Sequence, residues 1–317
     1  MGNNFWQDLK KPILALAPMA GINDTAFREV CSLFGADVLY SEMASATALS
    51  KNPEKTLEML SYIKTQKPYV VQLFGYHPEH FKIAVKVIEK EIKPNGIDIN
   101  FGCPVNKVLR QGAGAVLMKE KEQAKKIISA TLSQATVPVS IKTRTKSGQV
   151  ELLDFLDYIS DLDIKALMIH GRTLNQGFNG DIDYETILKA REKFKGIILA
   201  NGAIKDIDSA KKTLSETRAD GLGLARGVMG RPWLFKEIKE GKSLDYNRDE
   251  IINLALKHSQ LAYKYKKDFG LKEMRKHLSW YIASWPGARA LRQELFRIES
   301  IEDIKKAFEK YETIHRQ

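Results

Sequence analysis

The chain is expected to fold as a (β/α)8 barrel followed by a small all-helical C-terminal domain, and three observations carry that expectation. Apolar runs of strand length recur about eight times within roughly the first 240 residues. Stretches with helical periodicity separate them, which is the alternation of a parallel α/β fold. Beyond about Asp245 the strand-like runs stop and only helical patterns remain. The length of 317 residues agrees, since one such barrel takes about 250 and leaves a small remainder.

The predicted strands, in order, are Ile13–Ala17, Val38–Ser41, Tyr69–Phe74, Ile97–Phe101, Val139–Thr143, Ala166–His170, Ile197–Ala200 and Gly221–Leu224. Several are near-continuous apolar runs, as parallel strands covered on both faces should be. Helical patterns lie between them at Pro78–Ile92, Lys119–Leu132, Leu152–Ile159 and Asp206–Leu214. An open doubly wound sheet would want a glycine fingerprint after its first strand, but that strand ends in Ala17-Pro18-Met19-Ala20-Gly21. Gly112-Ala113-Gly114 follows a basic loop rather than a strand and reads as a turn. The tail has four predicted helices, Arg248–Tyr265, Leu271–Ala283, Ala288–Phe296 and Ile301–His315. The expected division is therefore 1–244 for the barrel and 245–317 for the helical domain.

Composition narrows the function. Hydrophobic residues make up 44%, enough for a substantial core. Only two cysteines occur, Cys31 and Cys103, in no metal-ligand spacing, so neither structural zinc nor a disulfide framework is expected. No apolar run approaches the roughly 18 residues of a membrane helix. Met1-Gly2-Asn3-Asn4-Phe5-Trp6 carries no signal-peptide or myristoylation pattern, which points to a soluble cytoplasmic protein. The net charge of +11 suggests a polyanionic partner. The tail holds 15 Lys and Arg against 11 Asp and Glu, roughly double the excess per residue of the remainder. Aromatics interleave with its bases, as in Tyr263-Lys264-Tyr265-Lys266-Lys267, a composition suited to nucleic acid and equally to a solvated helical face.

Polar residues at the carboxyl ends of barrel strands converge on one face, where this fold keeps its chemistry. Here those ends supply Pro18, Met19, Glu42, Gln72, Asn100, Cys103, Lys142, Arg144, His170, Arg172, Asn201, Gly202, Ala225 and Arg226. Singly each has a dull explanation: Cys103 as a small buried hydrophobe, His170 as a satisfied core histidine. Together they define a candidate site. Loops after strands seven and eight are the recurrent phosphate site of the fold, so Asn201-Gly202-Ala203 and Ala225-Arg226-Gly227 should receive a phosphorylated cofactor. A cation such as Lys142 is well suited to stabilise an anionic reduced flavin ring.

The same residues carry a family resemblance. Ala17-Pro18-Met19-Ala20-Gly21, Ser41-Glu42-Met43, Val71-Gln72-Leu73-Phe74-Gly75, Asp98-Ile99-Asn100-Phe101-Gly102-Cys103-Pro104, Ile141-Lys142-Thr143-Arg144, Ile169-His170-Gly171-Arg172-Thr173, Ala200-Asn201-Gly202, Ala225-Arg226-Gly227 and Gly230-Arg231-Pro232-Trp233 occur in order. The chain thereby resembles the tRNA-dihydrouridine synthases, and among the bacterial ones the B type. The tail segment Arg275-Lys276-His277-Leu278-Ser279-Trp280-Tyr281 also resembles that subgroup. The resemblance implies an FMN-dependent reduction of the C5=C6 bond of uridines in tRNA, with NADPH as reductant and no metal. It implies FMN contacts from Pro18, Met19, Ala20, Gln72, Lys142, His170, Asn201, Gly202, Ala203, Ala225 and Arg226, with Cys103 as proton donor. Asn100, Arg144 and Arg172 are expected to bind the uracil. Ala225 departs from the glycine often found before that arginine. A monomer is expected. The rivals are a flavin barrel for a free pyrimidine and a tRNA-binding platform without turnover.

Overall fold

A computed structural model describes residues 4–315. Met1, Gly2 and Asn3, on which the reading of the amino terminus partly rests, lie outside the described residues. Eight parallel strands close into a barrel: β1 (Ile13–Leu16), β2 (Val38–Ser45), β3 (Tyr69–Phe74), β4 (Gly96–Asn100), β5 (Val139–Arg144), β6 (Ala166–His170), β7 (Ile197–Asn201) and β8 (Gly221–Leu224). Each pairs with its sequence neighbours and β8 closes on β1, so the barrel has no open edge. β3, β6 and β8 have the predicted ends. β2 runs four residues further than predicted, because a register shift against β3 between Tyr40 and Met43 lets pairing resume as far as Ser45.

Alternation along the strands sorts the core into two layers. Ile13, Ala15, Ala17, Val38, Tyr40, Val70, Ala166, Met168, Ile197 and Leu199 pack together inside the barrel with Trp6 against them. Their neighbours Leu14, Leu39, Val71, Ile97, Ile99, Ile141, Leu167, Ile169, Ile198 and Leu222 face the surrounding helices. Followed toward the carboxyl ends, the inward series turns polar: Gln72 on β3, Asp98 and Asn100 on β4, Ser140, Lys142 and Arg144 on β5, His170 on β6 and Asn201 on β7.

The outer helices follow their strands, among them Thr25–Leu33, Pro78–Glu91, Lys121–Gln134, Tyr184–Lys193 and Ile207–Thr217. Asp24 caps the first by accepting from the Phe27 amide, and Asp206 with Ser209 forms a capping box on the last, each cap contributing about 1 kcal/mol. A short antiparallel hairpin, Lys146–Ser147 with Val150–Glu151, follows β5. Two-residue strands leave no periodicity in a sequence.

The tail is helical. The run Arg248–Tyr281 is interrupted at Lys267 (φ 52°, ψ −137°), inside the gap between the first two predicted tail helices. Gly270 is required there, since a Cβ would stand 2.2 Å from the Ala262 carbonyl oxygen. Ala288–Leu295 and Ile301–His315 complete the tail. Its apolar faces form a second core that takes in Ala26 and Val30 of helix Thr25–Leu33. Polar ties reinforce the contact: Lys266 bridges Asp24 (3.4 Å) and Glu273 (2.6 Å), Tyr265 donates to Glu29 (2.6 Å), and Lys276 donates to the Gly21 carbonyl. No helix among the described residues is long and apolar enough to cross a membrane.

Candidate active site

A cavity of 770 Å³ opens at the carboxyl ends of the strands. Of the strand-end residues inferred above, Pro18, Met19, Gln72, Asn100, Cys103, Lys142, Arg144, His170, Arg172, Asn201, Gly202, Ala225 and Arg226 line it, as do Ala20 and Ala203, whereas Glu42 does not, because its carboxylate is turned to the Gly21 amide. Barrel register brings them together by pairing Gln72 with Asp98, Asn100 with Lys142, Arg144 with His170, and His170 with Asn201. Lys142, Arg144, Arg172, Lys205 and Arg226 line the cavity and no carboxylate does. Its field is therefore positive.

Cys103 sits on the loop leaving β4 and is 9% exposed. Asn100 fixes that loop, its Oδ1 accepting from the amides of Cys103 (2.8 Å) and Gly102 (3.0 Å). On the other side the Ala115 amide donates to the Cys103 carbonyl at 3.1 Å. Gly112-Ala113-Gly114 is the turn that permits this approach: Gly114 has φ +69° and a Cβ there would lie 2.8 Å from the Cys103 oxygen. Burial raises the Cys103 thiol above its ordinary value, only partly offset by a hydrogen bond from the Val105 backbone and by the cations Arg144 and Lys142. The sulfur holds its proton at neutral pH.

Lys142 donates to Asn201 Oδ1 at 3.2 Å, and Asn201 donates in turn to the Gly223 carbonyl at 2.6 Å. Desolvation first, then Arg144, lowers the ammonium to about 8. Asp98 works in the opposite direction. His170 falls to about 2, through burial and then the cations Lys142, Arg144, Arg172 and Arg226, so its imidazole is neutral. Arg144 is lowered to about 10, chiefly by burial, and stays charged at neutral pH. Its guanidinium donates to the carbonyls of Gly102 (2.8 Å), Thr173 (2.9 Å) and Gly177 (2.9 Å). Arg144 thus clamps two loops together, a structural duty that the sequence did not suggest.

The loops after β7 and β8 lie close together. Gly202 has φ +122° and Ala203 φ +53°, while a Cβ on Gly227 would stand 2.1 Å from the Ile204 oxygen. Ala225 has φ −129°, outside the left-handed region, so its backbone makes no demand for glycine. Arg226 lies 4.7 Å over the Phe178 ring. Arg172 donates through Nε to the Gly180 carbonyl at 2.9 Å, and its Nη1 is buried without a partner. A positive, carboxylate-free wall with an orphaned guanidinium donor fits an anionic ligand such as one carrying a phosphate. Among the described residues, no three His, Cys, Asp or Glu side chains gather to hold a metal.

Sequence reasoning missed Asp98 and Ser140, which lie under the floor, and Phe178 and Met43, which line the wall. Asp98 and Ser140 carried a findable signal, because each stands two residues before a site residue on its strand and so shares its face. Phe178 lies in an irregular loop with no such pattern.

A closed parallel barrel with a thiol and a cationic wall at its carboxyl face defines an α/β-barrel enzyme. Residues 15–317 match the model of the family described as Dihydrouridine synthase (Dus), and the chain belongs to that family. It is 33% identical over 299 residues to the probable tRNA-dihydrouridine synthase 1 of Synechocystis sp., covering 91% of this chain and 83% of the relative. It is also 33% identical over 301 residues to tRNA-dihydrouridine synthase B of Pseudomonas syringae pv. tomato, covering 91% and 88%. Solved structures share the fold. An old yellow enzyme homologue from Zymomonas mobilis superposes with a TM-score of 0.53 at 13% identity, over 75% of this chain and 91% of that one. Histamine dehydrogenase from Rhizobium sp. 4-9 gives 0.56 at 12% identity, over 78% and 49%.

Proposed function

We propose that the protein reduces the C5=C6 bond of uridine in tRNA to 5,6-dihydrouridine, in the cytoplasm, with FMN as cofactor and NADPH as reductant. The observation that carries this reading is the Cys103 thiol opening onto the same cavity as an acid-free wall of cations. FMN would be held by Pro18, Met19, Ala20, Gln72, Lys142, His170 and Asn201 along its ring system, and by Gly202, Ala203, Ala225 and Arg226 at its phosphate. The chemistry this group supplies when bound is delivery of two electrons as hydride to C6 of the base.

The chain supplies the rest. Cys103 holds the proton destined for C5, and burial keeps it on the sulfur until the developing negative charge demands it. The thiolate left behind is stabilised by Arg144 and Lys142 and regains its proton from solvent. Asn100 and Arg172 hold the uracil edge. Arg144 contributes through the loops it fixes. A uridine must leave its stack to enter, at about a few kcal/mol. Residues 245–317 form the tRNA-gripping domain that offsets this, with Tyr263 and Phe269 exposed near Lys264 and Lys267. A free pyrimidine would need no such domain.

The test is incubation with FMN, NADPH and tRNA from a strain lacking dihydrouridine, followed by mass spectrometric mapping. Cys103→Ala should retain flavin and tRNA binding and lose about 10²–10⁴ in rate. Near-normal turnover by that variant would overturn the proton-donor role.

A further inference from the structure

A file of buried polar side chains runs beneath the cavity floor and ends on the loop that carries the thiol. Ser140 Oγ donates to Asp98 Oδ1 at 2.6 Å, and Gln72 Nε2 donates to Asp98 Oδ2 at 2.7 Å. Asn100 Nδ2 donates to Gln72 Oε1 at 2.8 Å, and Asn100 Oδ1 accepts from the Cys103 and Gly102 amides. Asp98 is 0% exposed and Ser140 1%, and neither lines the cavity, so at that end of the file water cannot substitute for a lost partner.

The ends of the file fix its direction. A backbone N–H can only donate and an ionised carboxylate can only accept, whereas the two amides between them could face either way. With Cys103 N–H at one end, Asn100 must present its oxygen to the loop and its NH₂ to Gln72. Gln72 must then present its oxygen to Asn100 and its NH₂ to Asp98. Without an acceptor at position 98, Gln72 Nε2 is stranded in the core, Gln72 is drawn off the floor, and Asn100 Nδ2 is left with only Met43 Sδ at 3.9 Å.

We propose that Asp98 is a positioning residue, whose carboxylate orients the Gln72 and Asn100 amides and through them holds the Cys103 loop in place for proton delivery. This rests on the proposed role of Cys103. Asp98 itself touches neither the thiol nor the cavity. Its carboxyl is raised to about 6, by burial against the hydrogen bonds from Ser140 and Gln72, so it is an acceptor at neutral pH.

The proposal is tested in the flavin-loaded protein by hydrogen exchange at the Gly102 and Cys103 amides, alongside single-turnover reduction of tRNA. Gln72→Glu sets a second carboxylate against Asp98 and should, at pH 8.5, raise exchange at both amides about tenfold and slow turnover by about 10–100-fold, with the KM for tRNA unchanged. Adding Asp98→Asn moves the acceptor one position along the file and gives every donor an acceptor again. That double variant should return exchange at both amides to within about threefold of wild type and turn over faster than Gln72→Glu alone. If Gln72→Glu does not fold, Asp98→Leu removes the acceptor outright and should raise exchange similarly. Unchanged exchange in Gln72→Glu or Asp98→Leu, or failure of Asp98→Asn to rescue, overturns the proposal. If the rescue holds yet Cys103→Ala keeps its activity, the file stands and the proton-donor role falls.

Discussion

Replacing Lys142 by methionine is expected to stabilise the flavin-free protein while abolishing its activity. The Lys142 ammonium has one hydrogen-bond acceptor, Asn201 Oδ1 at 3.2 Å, and Arg144 as an adverse neighbour. Its fall from 10.5 to about 8 corresponds to about 3 kcal/mol, at about 1.4 kcal/mol per pH unit. Asp98 loses a favourable neighbour in the variant, which leaves a net gain of about 2 kcal/mol. The pH dependence follows from the direction of the shift. Below about pH 8 the ammonium is charged in both states, and the folded protein bears the full cost. Between about 8 and 10.5 the folded protein has released the proton while the unfolded chain still holds it, so wild-type stability rises with pH. The methionine variant lacks that rise. Urea unfolding of the flavin-free proteins at pH 7 and pH 10.5 should therefore show the variant ahead at the lower pH and the gap closing at the higher. A variant less stable at pH 7, or a gap of equal size at both, would refute the reasoning. Flavin at a hundred times its Kd should reverse the order, since ligand binding then adds about 2.7 kcal/mol to wild type alone.

Two further substitutions probe the cavity wall and the junction with the tail. Gly202→Ala forces a side chain onto a backbone with φ +122° and places Cβ 2.9 Å from the His170 ring and 2.8 Å from Ile182. It should cost about 1–3 kcal/mol and yield colourless protein, checked by flavin absorbance after purification. Glu237 is fully buried and receives Arg231 in a two-pronged contact at 2.7 and 2.9 Å, with the Leu244 amide at 2.9 Å. Glu237→Gln should lower unfolding stability by about 1–2 kcal/mol, since the Arg231 left behind is partly exposed to solvent, with the flavin site intact, read by urea denaturation beside a flavin titration.

The barrel was legible because the strands are short and mostly apolar and several are bounded by Gly, Pro or Asn, as β3 is by Pro68 and Gly75 and β4 by Asn95 and Gly102, so those ends are marked locally. Pooling polar strand ends then worked because closure of the sheet brings them to one rim, whatever their distance along the chain. What escaped depends on contacts between elements. Asp98 and Ser140 share the strand parity of Asn100 and Lys142, but their hydrogen bonds to Gln72 and to each other exist only once the barrel closes. Arg144 reads as a ligand-binding cation, and only the folded loops of Thr173 and Gly177 show where its donors go. Phe178 belongs to an irregular loop, and its place beside Arg226 is decided by the loop's path. The longer β2 rests on a register shift, a property of two strands rather than one.

The alternation that sorts the barrel into apolar and polar faces also restricts how this protein can diverge. Deleting one residue inside β5 would put Ile141 or Thr143 where Lys142 now points and turn the lysine into the helix layer. The same holds for Gln72, Asn100, His170 and Asn201 on their strands. Length changes within those strands are therefore closed to the lineage, unlike in β2, where a register shift is already absorbed, whereas the loops beyond the rim can lengthen or shorten without disturbing the ring of functional groups. New substrate sites can arise there while the reaction itself stays fixed by strand parity.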